Sequence, residues 1–426
     1  MAGAVLAGCG GNADSGAVAS VIEQAQKMDE AELYRKAAEE IKDKTFVVIA
    51  NSSRMKDAFP AWVEYVKKTY KMEDFKAGFS TTQPKNNQIF NQIQGDVKGA
   101  NHNISMTLIQ DGSQIKAKMT KPGYLLNYIP KEWGGNRAND GEPLALQSLS
   151  KVFAYNSIGV EAGGFDNVFD FVLKDDGSKF STQFMSINSE PVGQNMFFML
   201  TRKDYADVVK AAYDAATAKQ KEVVDGVLKN KDSGIDVVVS ELNLSENAKY
   251  SLAWIYLFQK NFTKVEDDGP ICKNICRTSS AGAAGLLVYS KFRSIAETAE
   301  SSVKQMKVAA YENGYTGFGG YMYKHYLQVL KTSPFPWTSC AFIHFMTTHK
   351  EGFQPWGKDI GGYSSNPAVQ SQFDHSNDGG TEFPVKNDKG FAWWSANEAG
   401  KGRLIIEDGE YCTNVSSTMT EWFSHL

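Results

Sequence analysis

The stretch TFVVIANSSRMKDAFPAWVEYV, residues 45–66, sets the expectation for the whole chain. Its first six residues are an apolar, β-branched run, the composition of a buried strand. A polar loop, Asn51 to Lys56, follows. Phe59, Trp62, Val63 and Val66 then recur three and four apart, the spacing of one helix face. Asp57 is placed to cap that helix and Pro60 to sit in its first turn. Strand, polar loop and helix make the repeating unit of an α/β sheet, and the unit recurs. FKAGFSTTQPKNNQIFNQI, 75–93, holds a short strand, a Ser/Thr turn and a helix around Ile89, Phe90 and Ile93. NISMTLIQDG, 103–112, is a third strand with a polar end. This alternation predicts a largely parallel α/β sheet, with ligands beyond the carboxyl ends of its strands.

Working outward, residues 20–43 read as one helix, with Leu33, Ala37 and Ile41 four apart. KVFAYNS, 151–157, is a strand ending in polar residues, and STQFMSINSEPVGQNMFFML, 181–200, gives strand, loop and helix. A charged helical stretch runs over 203–231, and KYSLAWIYLFQKNF, 249–262, is an amphipathic helix. TSSAGAAGLLVYSKF, 278–292, is rich in small residues and then strand-like.

A chain of 426 residues exceeds one small core, so two or more lobes are expected. A net charge of −4 carries no basic field that would draw it to nucleic acid. Beyond residue 10 no apolar run approaches the roughly 20 residues of a membrane span. Signatures of catalysis are thin: the chain has no H-E-x-x-H, G-x-S-x-G, P-loop or G-x-G-x-x-G pattern. The residues call for no cofactor and no metal. The six histidines are scattered and read as surface or core residues, and His344 and His349, five apart, are a poor helical pair for an ion. Cys272 and Cys276 in ICKNIC read as a local disulfide or as plain thiols, closer to each other than to Cys340 or Cys412.

What recurs instead is polar residues at predicted strand ends. Ser52, Ser53 and Arg54 follow the first strand, Ser80, Thr81 and Thr82 the second, Gln110 and Asp111 the third, and Ser189 to Asn195, including Gly193 and Gln194, a later one. Hydroxyls, amides and backbone N–H groups near helix starts suit a polar, anionic ligand. The planar fork of Arg54 matches carboxylate or phosphate. Gln110, Asp111 and Asn195 suit sugar hydroxyls, and Tyr289 or Tyr315 a stacked ring.

Near the start, AVLAGCGGNADSGAV, 4–18, runs small and apolar to Cys9 and then turns polar. Leu6-Ala7-Gly8-Cys9 resembles the lipobox of bacterial lipoproteins, in which a signal peptidase cuts before an acylated cysteine; the Gly/Asn/Ser stretch after it reads as a tether. The apolar run is short and no positive charge precedes it, so further signal sequence is expected upstream.

Taken together, FVVIANSSR, the Tyr-Asn that ends KVFAYNS, AGAAGLLVYSKF, and TSPFPWTSCAFIHFMTTHKEGFQPW at 332–356 resemble the extracellular solute-binding lipoproteins of ABC importers. The type II, two-lobed class is meant, with its ferric, thiamine, polyamine and phosphosugar binders. The family's Pro-x-x-Trp-x-Asp-Leu stretch is replaced here by GGFDNVFDFVL, and the second lobe is longer around 203–250. The resemblance implies a signal remnant and tether at 1–20, a first lobe from 45–150 and 294–426, and a second lobe from 151–293. It implies no catalysis, a small-molecule solute closed between the lobes, and partners in the transmembrane permease subunits. It also implies a monomer anchored through its lipid in the cell envelope. A ferric-ion binder is the nearest alternative, although the chain has no Tyr-Tyr pair, and Tyr321, Tyr323 and Tyr326 are spaced apart. A secreted enzyme and a sensory receptor partner are the alternatives of other classes.

Overall fold

A computed structural model describes residues 15–84, 88–161, 164–185, 191–277, 279–293, 305–375 and 387–426. Packing divides the chain into two compact units: Met1–Ile109, Lys118–Leu144 and Tyr326–Pro355, and Gln110–Ala117, Ala145–His325 and Trp356–Leu426. Cys9 and its lipobox, and Ser189, lie outside the described residues.

The first unit is built on the unit seen at 45–66. Strand β1 (Thr45–Ala50) pairs in parallel with β2 (Gly78–Thr82) on one side and β3 (Met106–Ile109) on the other. Strand β4 (Leu125–Leu126) and the second half of a later strand, Gly320–Leu330, also belong here; that strand runs antiparallel to β3. Helix Met55–Tyr70 returns over the sheet, with Phe59 stacked on Phe46 at 5.2 Å and on Phe79 at 4.8 Å. Asp57 is not its cap: the helix begins one turn earlier, with Arg54 at the cap position and Asp57 in the first turn. Pro60 consequently falls in the helix interior, where it supplies no N–H to the carbonyl of Lys56.

The single helix expected over 20–43 is two, Ser15–Ala25 and Glu30–Ile41. The break is local chemistry: the Asp29 carboxylate accepts the Glu32 amide at 2.9 Å and starts a new helix. Leu33, Tyr34, Ala37 and Ile41 bury one face of that helix against helix Pro336–Thr348. Glu40 seals its far end by accepting the Thr338 amide at 2.8 Å.

The second unit holds the longest strand, β5 (Ala145–Asn156), buried along its whole length. It runs antiparallel to β8 (Ala284–Val288), which neighbours β6 (Gln183–Met185), itself parallel to β7 (Thr263–Val265). Strands β9 (Met306–Val308) and β11 (Gly362–Ser364) also pair with β5. The first half of β10 (Gly320–Leu330) pairs with β12 (Ile405–Ile406). Gly320 has φ +147°, and a Cβ there would sit 2.0 Å from the Lys151 carbonyl oxygen, so only glycine fits. The charged stretch 203–231 forms two helices, Lys203–Ala215 and Ala218–Lys229. Thr217 and Gln220 form a reciprocal capping box at the second start.

Of the late part of the chain, packing places Tyr326–Pro355 in the first unit and Trp356–Leu426 in the second. Residues 356–426 join the second because helix Gly409–Ser424 packs on helix Pro191–Leu200, with Phe423 stacked on Phe198 at 5.9 Å. No disulfide joins any two of the four described cysteines, Cys272, Cys276, Cys340 and Cys412. Cys272 and Cys276 form no disulfide; their thiols point to the carbonyls of Lys291 and Lys273.

Candidate functional site

The carboxyl ends of β1 and β2 in the first unit carry the first two polar groups singled out in the sequence. Ile49 pairs with Thr82, so Thr82 lies level with the end of β1, and the Asn51–Arg54 loop leaves the sheet just beyond. Asn51 ties this edge together: its amide donates to Leu108 O at 2.9 Å, and its side chain donates to Pro84 O at 3.1 Å. Ser52 and Arg54 are half-buried and Ser53 is exposed; Thr81 is half-buried and Thr82 exposed. The Thr81 hydroxyl oxygen is enclosed, with no hydrogen-bond partner among the described residues.

One expectation about this edge changes. The amides at the start of helix Met55–Tyr70 are not open to an anion. Those of Met55, Lys56 and Asp57 turn back to the carbonyls of Ser52, Ser53 and Arg54 at 3.4, 3.2 and 3.0 Å. What the edge offers is side chains: hydroxyls and one guanidinium.

The remaining expected residues belong to the second unit, and there Asp111 and Asn195 meet. Asp111 caps a short helix, Gly112–Gln114. Its Oδ1 accepts from Ser113 Oγ at 2.8 Å and from Asn195 Nδ2 at 3.1 Å, and its Oδ2 accepts from Gln114 Nε2 at 2.6 Å. Asn195 also donates to Glu407 Oε1 at 2.9 Å, and Glu407 Oε2 accepts the Lys324 amide at 3.2 Å. Burial, and behind it the negative charge of Asp111, push the Glu407 carboxyl up to about 7. Asp111, Asn195 and Glu407 are all buried, so this is an internal network whose polar atoms hold one another. Gln110 bonds His325, which is bonded in turn by Gln147. Gly193 is buried and Gln194 half-buried in the helix that carries Asn195.

Tyr289 and Tyr315 do not present rings to a ligand. Tyr289 is fully buried with its hydroxyl on Tyr311 and the Asn387 carbonyl; Tyr315 is 6% exposed and donates to Phe318 O. The YSKF segment reads as a strand in sequence but turns into a short 3-10 helix that folds Tyr289 inward.

Sequence reasoning passed over Glu407, just past β12, and Lys324, in β10, which are far apart in sequence and belong to no local pattern. It also separated His344 from His349 by assuming one continuous helix. The helix ends at Thr348, and His349 swings back so that the two rings lie 5.6 Å apart, both close to Glu30.

No family profile matches the chain, and no curated protein matches it in sequence. Solved structures do match. A Trichodesmium protein (IdiA, FutA), in complex with iron and citrate ligands, superposes with a TM-score of 0.52 at 12% identity, over 89% of this chain and 99% of the other. An ABC transporter substrate-binding protein from Bradyrhizobium japonicum gives 0.52 at 10%, over 90% and 100%. The chain has the type II periplasmic-binding-protein fold. The substrate binding protein of an ABC transporter from Agrobacterium tumefaciens gives 0.50 at 13% identity, over 90% and 94%. Within the binding-protein fold the α/β arrangement of the first unit is the one anticipated from residues 45–112. The departures near 164–173 and 203–250 are absorbed by helices and turns of the second unit.

Proposed function

We propose that this protein is the extracytoplasmic solute-binding component of an ABC importer. Its solute is a small polar organic molecule, anionic or sugar-like, delivered to a membrane permease. The observation that carries the reading is the binding-protein fold over nine-tenths of the chain, in which the Asn51–Arg54 loop and Thr81–Thr82 share one strand-end edge. In this reading Ser52, Ser53 and the exposed Thr82 supply neutral hydroxyls, the enclosed Thr81 hydroxyl faces inward, and Arg54 is the cation that selects an acidic or phosphorylated group. Asp111 and Asn195 support the fold from the second unit and do not touch solute. Anchoring through an acylated Cys9 belongs to the same reading: Cys9→Ser expressed with its native upstream sequence is released from the membrane.

A thermal-shift screen over sugars, sugar phosphates, carboxylates, polyamines and vitamins tests it. A solute present at 100 times its Kd adds about 2.7 kcal/mol of stability. With the hit in hand, Arg54→Ala weakens binding roughly tenfold to a hundredfold, the loss of about 1.5–3 kcal/mol expected for a charged hydrogen bond. Wild-type affinity in that variant, or no stabilising solute at all, overturns the assignment. Ferric citrate is a separate arm, because the Trichodesmium protein holds iron and citrate. A red-brown band with tight iron binding would favour a ferric binder instead.

A further inference from the structure

We propose that Glu30, His344 and His349 form a binding site for a divalent first-row transition ion of the Zn²⁺ type, within the first unit and apart from the strand-end edge. Each of the three offers one ligand atom, and these atoms lie within 4.8 Å of one another. They converge because two helices pack along each other. Glu30 is the first residue of helix Glu30–Ile41, His344 lies in helix Pro336–Thr348, and His349 is the residue that ends it.

The donor set fits the ion. Two imidazoles and one carboxylate are a usual three-ligand set for zinc, with a fourth position left for water. Glu30 Oε2 and His349 Nε2 are 3.0 Å apart. Two ligands with bonds of about 2.0–2.1 Å on a tetrahedral ion sit about 3.3 Å from each other, so this pair is already near ion-bound spacing. The His344 ligand atom lies within 4.8 Å of the other two, so a movement of up to about 1.5 Å closes the set.

The surrounding groups orient the ligands. Tyr70 and Tyr65 both donate to Glu30 Oε1, at 2.6 and 2.9 Å, which leaves Oε2 for the ion. With His344 Nε2–H donating to Glu132 Oε2 at 3.2 Å, the lone pair of His344 is on Nδ1. Carboxylate–histidine pairs of this kind fix the tautomer of metal-bound imidazole. Tyr34 now donates to that Nδ1 at 2.9 Å, and its hydroxyl turns aside or becomes the fourth ligand when an ion enters. The His344 side chain is 2% exposed, whereas those of His349 and Glu30 are 20% and 27% exposed, so an ion reaches the site from solvent on their side.

His349 Nε2 and Glu30 Oε2 face each other across the place an ion would take. Imidazole and carboxylate bind a metal only in their deprotonated forms, so binding weakens as pH falls. Arg35 and Glu351 add their field to Tyr70 and Tyr65 and set the background charge of the site. Once bound, the ion staples the start of one helix to the end of the other.

The test uses the full chain stripped of metal by a chelator. Titration with Co²⁺ is expected to give a visible absorption band of tetrahedral intensity that saturates at one equivalent and is displaced by Zn²⁺. Calorimetry with Zn²⁺ at pH 7.5 is expected to show one site, weaker at pH 6. His349→Gln and Glu30→Gln, both near the surface, each lower affinity at least tenfold to a hundredfold, and Glu132→Gln by about tenfold, with circular dichroism reporting the fold. Absence of a saturable Co²⁺ band in the wild-type chain overturns the site. So does wild-type Zn²⁺ affinity in His349→Gln, or, if that variant fails to fold, in Glu132→Gln.

Discussion

The ammonium of Lys151 lies 3.3 Å from the carboxylate of Asp268, and neither side chain is more than 7% exposed. Lys151 comes from the middle of β5 and Asp268 from the first turn of helix Asp268–Ile275, where it also accepts the Val288 amide at 3.2 Å. The pair therefore pins a helix to two strands. Removing one partner strands the other charge in the core. Lys151→Met is expected to cost about 3–5 kcal/mol in urea denaturation, and adding Asp268→Asn, which keeps the acceptor but drops the charge, to recover most of it. A single variant within about 0.5 kcal/mol of wild type would show the pair to be solvated.

Glu407 gives stability a pH dependence of definite sign. Its folded value of about 7 is raised above the ordinary 4.5, chiefly by burial and then by Asp111. The folded state therefore holds the proton more tightly than the unfolded one. The contribution is fully present below about pH 4.5 and is lost as pH rises through 7, with an upper magnitude of about 3 kcal/mol. Asp170, pushed up to about 7 mainly by burial, adds a slope of the same sign. Denaturation midpoints between pH 4.5 and 8 should fall in the wild type and fall less steeply in Glu407→Gln. Equal slopes would mean that the other raised carboxyls, Asp170 with Asp166 and Glu40, carry the effect.

The capping box at Thr217 and Gln220 separates two roles by mutation. Thr217→Ala loses the cap on the Gln220 amide and is expected to cost about 1 kcal/mol. Gln220→Ala costs more, because Gln220 is 1% exposed and also donates to Asp170 Oδ1 at 2.8 Å. It should also steepen the loss of stability with rising pH, since the hydrogen bond that lowers Asp170 is gone. Chemical denaturation at two pH values reads both effects.

The thiols give a check on redox state. Cys276 is half-exposed, while Cys272, Cys340 and Cys412 are buried, and burial pushes the Cys272 thiol up to about 12. Among these four, a maleimide should label Cys276 first in the native protein, and reducing agent should leave the denaturation midpoint unchanged. A midpoint that drops on reduction would reveal a disulfide.

Residues 45–112 were legible because each local pattern is itself the structure: β-branched runs became β1 and β3, and the 3–4 spacing of Phe59 to Val66 became the buried face of a helix. Asp111 and Asn195 were singled out separately as polar loop residues, and the fold brings them together, though as internal support. What stayed hidden is non-local. Glu407 acquires its character from Asn195 and Lys324, residues no window of sequence contains. Tyr289 looked available because an aromatic at a strand end reads the same whether its ring turns in or out. The split at Asp29 shows a single capping carboxylate overriding a helical period that continues on both sides of it.

Pro60 divides the helix Met55–Tyr70 into unequal parts. Past it, Trp62, Val63 and Val66 are anchored in the aromatic core. Before it, Met55, Ala58 and Phe59 are buried as well, the amides of Met55 to Asp57 turn back to the carbonyls of Ser52, Ser53 and Arg54, and Pro60 has no N–H to offer the Lys56 carbonyl. The turn bearing Arg54 is therefore joined to the rest of the helix by one backbone bond fewer than a regular turn would be. In isotope-exchange terms, a solute gripped by Arg54 is expected to be felt first as slowed exchange at the amides of 55–58, the turn that follows it.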